Sequence, residues 1–409
     1  MKINNYYVTN ILRMNNEGEG VCIIDNITTF VKYALPLELV RVRIDKIYDN
    51  YARATLIEIV EKSKNRTDPI CPNFYTCGGC NLMHLYYKKQ LEFKKEKVQS
   101  IFKKISKEDI YIKNIYSYND LFYRNKVVFK VKDNRIGFYK EKTNELIDIE
   151  KCFIIDNRIN DVLLVIRNFI NKYSDNDISE VMIRIINNEV MLSINNINNK
   201  IKQFFLDDFK DLDSIYINNT LVYGKKLLNE KINNLNFSIS PKSFFQVNKN
   251  VSEMVYEKAI SYINKSDLTL DLYSGTGTIS MLLSKKSNQV IGVEVVKDAV
   301  NDAILGIEKN KIDNVKFICE KVENVIDKLK KLNIDNVILD PPRSGSDRKS
   351  LNSILEISPN QIIYISCNPV TLARDYNILK EKYLIKDINL YDMFPNTYHV
   401  ETVMVLERK

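Results

Sequence analysis

The tetrapeptide Ser366-Cys367-Asn368-Pro369 closes the apolar run Ile362-Ile363-Tyr364-Ile365. A run of that length bounded by a turn signal predicts a buried strand, and ligands of open parallel sheets sit outside the carboxyl ends of the strands. Cys367 would then face whatever the sheet binds, which is the place for a nucleophile. A lone cysteine is more often a packing residue, so the other strand ends decide its weight. Asn336-Val337-Ile338-Leu339 runs into Asp340-Pro341-Pro342-Arg343-Ser344-Gly345, where two prolines stop the strand and fix the loop. Asp340 alone would pass for a solvated turn residue. A third apolar run, Val290-Ile291-Gly292-Val293, ends in Glu294. Three strands that each deliver a reactive or charged group to one rim argue against coincidence.

Between these runs, Leu268-Thr269-Leu270-Asp271-Leu272 leads into Tyr273-Ser274-Gly275-Thr276-Gly277 and then Thr278-Ile279-Ser280-Met281-Leu282-Leu283. The order is strand, glycine turn, helix, in which Gly275 and Gly277 let the backbone approach a ligand. Ser280 replaces the third glycine of a dinucleotide fingerprint, which weakens a pyrophosphate role. Glu294 follows the turn at roughly the 20-residue separation from which an acid reaches a ribose diol. A nucleoside without phosphates, such as S-adenosylmethionine, fits this pattern better than NAD does.

A second cluster is Cys71-Pro72-Asn73-Phe74-Tyr75-Thr76-Cys77-Gly78-Gly79-Cys80. Three thiols this close suit one metal centre, and a fourth ligand is needed. Cys152 is the candidate, since Cys22 and Cys319 lie in strand-like segments assigned to packing. His84 and His399 are poorer ligands. Zinc and a [4Fe–4S] cluster both satisfy such a set. Disulfides are disfavoured by an odd count of seven cysteines and by a start, Met1-Lys2-Ile3-Asn4-Asn5, without an apolar signal segment. A cytoplasmic location is expected, and no apolar stretch is long enough to span a bilayer.

The elements that position these residues follow from pattern. At 409 residues, 45% hydrophobic, the chain exceeds one typical core. Residues 1–61 read as short strands of a small β-barrel, with Val40-Arg41-Val42-Arg43-Ile44 strictly alternating. The stretch from Lys88 to Lys104 reads as a basic amphipathic helix with Leu91, Phe93, Val98, Ile101 and Phe102 on its apolar face. Its lysines could contact RNA or simply be solvated. A net charge of +8 permits a polyanionic partner. Phe122-Tyr123-Arg124-Asn125-Lys126 and Arg135-Ile136-Gly137-Phe138-Tyr139 could stack bases and bind phosphates, although packing is the default for aromatics in strands.

The runs Phe244-Phe245-Gln246-Val247-Asn248, Asp271 to Gly277, Asp340-Pro341-Pro342-Arg343, Ser366-Cys367-Asn368-Pro369 and His399-Val400-Glu401-Thr402 together resemble the RNA uracil-5-methyltransferase family. The similarity spans essentially the whole chain and is closest to the ribosomal-RNA branch, whose members carry a TRAM domain and an iron–sulfur cluster. It implies an α/β architecture: a Rossmann-like class I methyltransferase domain, an N-terminal TRAM-like barrel and a central α+β domain with the cluster. The implied boundaries are 1–61 for the barrel, 62–84 and 115–240 for the central domain, and 85–114 and 241–409 for the methyltransferase domain. By the same resemblance Cys367 is the nucleophile and Glu401 the base. Gln246, Tyr273, Glu294 and Asp340 contact S-adenosylmethionine, with Gly275 in the binding turn. Cys71, Cys77, Cys80 and Cys152 hold a [4Fe–4S] cluster. Leu37 departs from the family's Leu-Pro-Gly-Glu turn.

The implied chemistry needs these residue types. Carbon-5 of uracil is a poor nucleophile until a thiolate adds at carbon-6, and covalent catalysis divides the hard step. The proton left on carbon-5 then requires a base, and Glu401 stands in the apolar run Val400 to Leu406, where desolvation raises a carboxyl pKa. The expected activity is methylation of a flipped-out uridine, most readily in 23S ribosomal RNA, by a monomer. Alternatives are a transfer-RNA uracil-5-methyltransferase, an RNA cytosine-5-methyltransferase and a non-catalytic RNA-binding iron–sulfur protein. The cytosine class usually has a second cysteine where Pro342 stands here.

Overall fold

The computed structural model describes residues 1–241, 243 and 245–409 and divides into two compact units. Phe244, part of the Gln246 motif, lies outside the described residues.

The first unit comprises Met1–Lys97, Phe138–Ile149 and Phe394–Tyr398. Its six-stranded sheet includes the strands Tyr6–Asn10, Gly20–Ile24, Ile27–Val31, Leu39–Ile47 and Tyr51–Glu61. The alternating segment points Val40, Val42 and Ile44 inward and leaves Arg41 exposed, and the inward set joins Ile11, Cys22 and Val31 in one core. Leu37 takes φ 67° and is 75% exposed, so it holds the backbone conformation a glycine would hold and keeps its side chain in water. Glu38 beside it is fully buried, accepts the Leu35 N–H at 2.8 Å and pairs with Arg66 at 2.5 Å.

The helix Tyr87–Ile105 is amphipathic as expected, with Phe93, Val98, Ile101 and Phe102 buried. Two lysines of the basic run are not on its wet face. Lys94 is fully buried with its ammonium on the Phe394 carbonyl at 3.2 Å, and Lys97 reaches the Tyr398 carbonyl at 2.9 Å. Carbonyl oxygens, not nucleic acid, satisfy them. Lys88, Lys103 and Lys104 remain exposed.

The second unit comprises Val98–Gly137, Glu150–Met393 and His399–Lys409. Its main sheet contains, in spatial order, the strands Val315–Cys319, Ser287–Glu294, Ser266–Leu272, Asn336–Leu339, Gln361–Ser366, Glu401–Arg408, Tyr383–Tyr391 and Ile115–Tyr116. The first five run parallel, and Glu401–Arg408 is antiparallel to its neighbours. Order reverses beside Ser266–Leu272: successive strands go one way from it, then the other. That is the switch point at which doubly wound sheets open a crevice. Both faces are covered, so Leu270, Leu272, Val337, Leu339, Ile362 and Tyr364 form a continuous buried run. The same unit holds antiparallel strands Lys126–Lys132, Glu180–Ile186 and Glu189–Asn195, backed by the helix Asn157–Lys172. No helix among the described residues is long and apolar enough to cross a membrane.

Candidate active site

Strand register assembles the site. Leu272 is level with Leu339, and Leu339 with Tyr364, so the glycine turn, Asp340 and Cys367 leave the sheet at one rim. Ser366 pairs with Thr402, which sets Cys367 at the end where Glu401 begins its strand. The helix Pro369–Leu379 starts directly after Cys367 because Asn368 caps it, accepting the Val370 N–H at 3.1 Å, and Pro369 occupies its first turn. The Asn368 amide also donates to the Arg343 carbonyl at 2.9 Å, tying the cysteine turn to the loop after Asp340. Fully buried Asp375 braces that loop, accepting from Tyr364 at 2.6 Å and from the Ser346 N–H at 2.9 Å.

Electrostatics follow from enclosure. Glu401 is 5% exposed, and burial, aided by Asp340, pushes its carboxyl well above the usual range while Arg343 opposes the shift. Burial raises Asp340 to about 7, with Asp271 adding to the rise. The Cys367 thiol is pushed up to about 11 by burial and by Glu401, against the pull of Arg343. Enclosure thus favours the protonated forms of Glu401, Asp340 and Cys367. Arg343 is the group that favours the anionic forms.

The glycine turn is built by conformation at one residue and by crowding at another. Gly275 adopts φ 55° with open space where a Cβ would stand, whereas a Cβ on Gly277, at φ 76°, would lie 2.5 Å from the Phe317 ring. Glu294 accepts the N–H of Gly275 at 3.0 Å and of Val296 at 2.8 Å, so it braces the turn it faces. Tyr273, at φ 66°, bonds Ser346 through its hydroxyl at 2.9 Å. Asp271 accepts from Ser280 at 2.5 Å, its other oxygen has no partner among the described residues, and burial raises its pKa to about 7. Gln246 is half-buried on the loop before the helix Lys249–Ser261.

Two neighbours were not evident from motifs. Arg343 stands in the Asp340-Pro341-Pro342-Arg343 motif, which gives it no role of its own; in the structure its charge opposes the pKa rises of Glu401 and Cys367. Tyr256 lies on the buried face of the helix Lys249–Ser261, where burial, then the charges of Asp340 and Glu401, raise its hydroxyl pKa. The signal available for it was the polar stripe Asn248, Ser252, Tyr256 at four-residue spacing on an otherwise apolar face.

The cysteines divide. None of the seven is in a disulfide. Cys22 is buried in the barrel core with its thiol toward the Thr29 carbonyl. Cys319, assigned to packing from its strand, is instead exposed, because it ends that strand. In the first unit Cys71 and Cys77 are close enough that the charge of one raises the other, after burial. Cys80 adds to the rise of the Tyr33 hydroxyl, as does Cys77. Beside them His84 is fully buried against Tyr33 and Phe74, neither ring nitrogen has a partner among the described residues, and burial lowers it to about 3. Cys152 belongs to the second unit, its backbone held on both sides by the Asn160 amide at 2.9 and 3.0 Å. Among the described residues no three His, Cys, Asp or Glu side chains converge as a metal site.

The family model described as tRNA (uracil-5-)-methyltransferase matches residues 86–409. The chain belongs to the tRNA (uracil-5-)-methyltransferase family. A TRAM-domain model matches residues 8–57. An uncharacterised RNA methyltransferase of Clostridium acetobutylicum is 37% identical, the alignment covering 100% of this chain and 98% of that protein. One of Caldanaerobacter subterraneus subsp. tengcongensis is 38% identical over 100% and 99%. Among solved structures, the Pyrococcus abyssi tRNA (uracil-54, C5)-methyltransferase in complex with S-adenosyl-L-homocysteine superposes with a TM-score of 0.81 at 26% identity, covering 98% of this chain and 100% of that one. The expected resemblance to the uracil-5-methyltransferases, and the expected Rossmann-like architecture with an N-terminal TRAM domain, therefore hold.

Proposed function

We propose that this uracil-5-methyltransferase family member methylates carbon-5 of a uridine in large-subunit ribosomal RNA through a covalent Cys367 adduct. The observation that carries the mechanism is the Ser366–Thr402 register, which brings Cys367 and Glu401 to one rim. Cys367 forms a carbon–sulfur bond to carbon-6, aided by the positive charge of Arg343, which favours the thiolate. S-adenosylmethionine, when bound, supplies the electrophilic methyl group. Gln246, Tyr273, Gly275, Glu294 and Asp340 are proposed to hold it, since the turn, its brace and the neighbouring strand ends flank one crevice. Glu401 as carboxylate then takes the carbon-5 proton, and the bond to Cys367 breaks to free the thiolate. The target base must be flipped out, because carbon-6 is shielded in a stacked helix.

The TRAM domain and the thiol-rich segment favour ribosomal RNA by family resemblance. Transfer RNA is the second reading, favoured by the superposition on a transfer-RNA uracil-54 enzyme. Mapping 5-methyluridine in ribosomal and transfer RNA from cells with and without the gene separates them. Loss confined to transfer RNA would overturn the ribosomal assignment. Cys71, Cys77, Cys80 and Cys152 are the proposed ligands of a [4Fe–4S] cluster, supported by their thiol chemistry and the closeness of Cys71 to Cys77. No step of methyl transfer runs through it. A cytoplasmic, monomeric enzyme is the accompanying proposal.

A further inference from the structure

The loop 343–346, which follows Asp340, hangs from one face of the helix Pro369–Leu379. Asn368, Thr371, Arg374 and Asp375 recur at the three- and four-residue steps that share such a face. The Thr371 hydroxyl donates to the Arg343 carbonyl at 3.3 Å, on the same oxygen that takes the Asn368 amide. The Arg374 guanidinium donates to the Ser344 carbonyl at 2.9 Å and to the Ser346 carbonyl at 3.3 Å. Asp375 accepts the Ser346 N–H and the Tyr364 hydroxyl on one oxygen, and its other oxygen accepts the Arg374 Nε–H at 2.7 Å. Buried Asp375 and half-exposed Arg374 thus clamp the same stretch from two sides. These bonds hold the loop by its main chain and do not use the Ser346 hydroxyl.

That hydroxyl meets Tyr273. The two side-chain oxygens are 2.9 Å apart, and Ser346 is 4% exposed, so little water competes for the bond. Tyr273 follows the strand Ser266–Leu272 at φ 66°, a conformation that a bulky residue keeps only where its surroundings impose it. The turn fixes the backbone, since the Ser274 N–H bonds the Val293 carbonyl at 3.0 Å and the Gly277 N–H bonds the Ser274 carbonyl at 2.9 Å. Those contacts leave the direction of the tyrosine ring open. Its partly buried ring packs against the core of the main sheet on one side, and the bond to Ser346 settles the remaining freedom at the far end. A tyrosine hydroxyl both donates and accepts. Here it is committed to Ser346, so what Tyr273 can offer a ligand is the ring.

We propose that Ser346 is a positioning residue for the methyl donor: its hydroxyl fixes the Tyr273 ring from a loop that the helix after Cys367 holds in place. This rests on the assignment of Tyr273 to S-adenosylmethionine binding. The test uses the full-length protein and S-adenosylhomocysteine as the titrated probe, so RNA identity does not enter. Ser346→Ala removes the hydroxyl and keeps the main-chain bonds of the loop, so its melting temperature should stay near the wild-type value. It should weaken the probe about fivefold, the scale of one lost hydrogen bond. In turnover it should raise KM for S-adenosylmethionine about fivefold and leave kcat at saturating donor within about twofold. Tyr273→Phe cuts the same bond from the other end and should weaken the probe similarly. The double variant should bind no more weakly than the weaker single variant, because only one bond is lost. Unchanged affinity in Ser346→Ala would overturn the proposal, as would losses that multiply in the double variant, since the Tyr273 hydroxyl would then meet the donor itself. Wild-type affinity in Tyr273→Ala would instead remove the assignment of Tyr273 beneath the proposal, and the proposal with it.

Discussion

Ser366 and Thr402 are register partners across two antiparallel strands, and that pairing makes Cys367 and Glu401 neighbours although the two lie far apart in sequence. A slip of one residue would turn Glu401 to the opposite face of the sheet. The relationship links Cys367 and Glu401 through the backbone ladder and not through a flexible loop. It leads to separate expectations for the two side chains.

Cys367→Ala should abolish methylation and leave binding of S-adenosylhomocysteine within about twofold, because the thiol acts on the base. Wild-type protein should form a denaturant-resistant adduct with target RNA carrying 5-fluorouridine, from which fluorine cannot depart as a proton does. Methylation by the alanine variant would remove the covalent mechanism.

Glu401→Gln should permit thiol addition and methyl transfer, then stall before elimination, accumulating a methylated protein–RNA adduct visible as a slow band in a denaturing gel. The pH profile of the wild-type enzyme checks the same group. Burial and Asp340 raise the Glu401 pKa, so its base form appears only above the ordinary carboxylate range, and the rate should climb with pH there. The Cys367 thiol, raised to about 11, extends the climb to alkaline pH. A rate already flat at pH 5 would contradict a buried carboxylate base.

Protein purified without air should contain about four irons per chain if the four proposed ligands hold one cluster. Cys71→Ser should lose that iron, while Cys22→Ser and Cys319→Ser should keep it. Stoichiometric zinc without iron would refute the assignment.

His84 supplies a stability test. Its folded pKa is lowered to about 3 by burial and by Arg66, so below its unfolded value near 6.5 the unfolded chain binds a proton that the folded chain does not. Stability should therefore fall as pH drops from about 6.5 toward 3, by up to about 1.4 kcal/mol per pH unit from this group. Denaturant titrations of His84→Leu should show a shallower decline over that window. An identical slope in both proteins would mean that the imidazole protonates in place.

Leu37→Gly should stabilise the protein by about 1 kcal/mol, since a leucine at positive φ carries a steric cost and this exposed side chain returns little packing. A higher melting temperature is the expected result, and a lower one would show that the leucine makes a contact of value.

The rim of the candidate site was legible because its signals are local: apolar runs that stop at Asp340, Glu294 and Cys367 define strand ends whatever the rest of the chain does. Glu401 was not legible in that way. Its burial depends on the pairing of a terminal strand, and only the family motif pointed to it. Lys94 and Lys97 show the converse failure, since a basic run at helical spacing gives no sign of which ammonium groups a carbonyl-rich loop will claim. Tyr256 stands in no motif, and the carboxyls of Asp340 and Glu401 that raise its pKa come from strand ends that sequence distance conceals. Cys319 was misjudged because a strand's last residue need not share the burial of its interior.

The inward lysines also change how the chain's excess positive charge should be counted. Lys94 and Lys97 contribute two of the charges in the formal +8, yet their ammonium groups are engaged by the carbonyls of Phe394 and Tyr398. Counterions condensed on an RNA are displaced only by cations that reach its phosphates. The steepness with which added salt weakens RNA binding is thus set by the outward lysines and arginines, and neutralising either inward lysine would unsettle its loop without flattening that dependence.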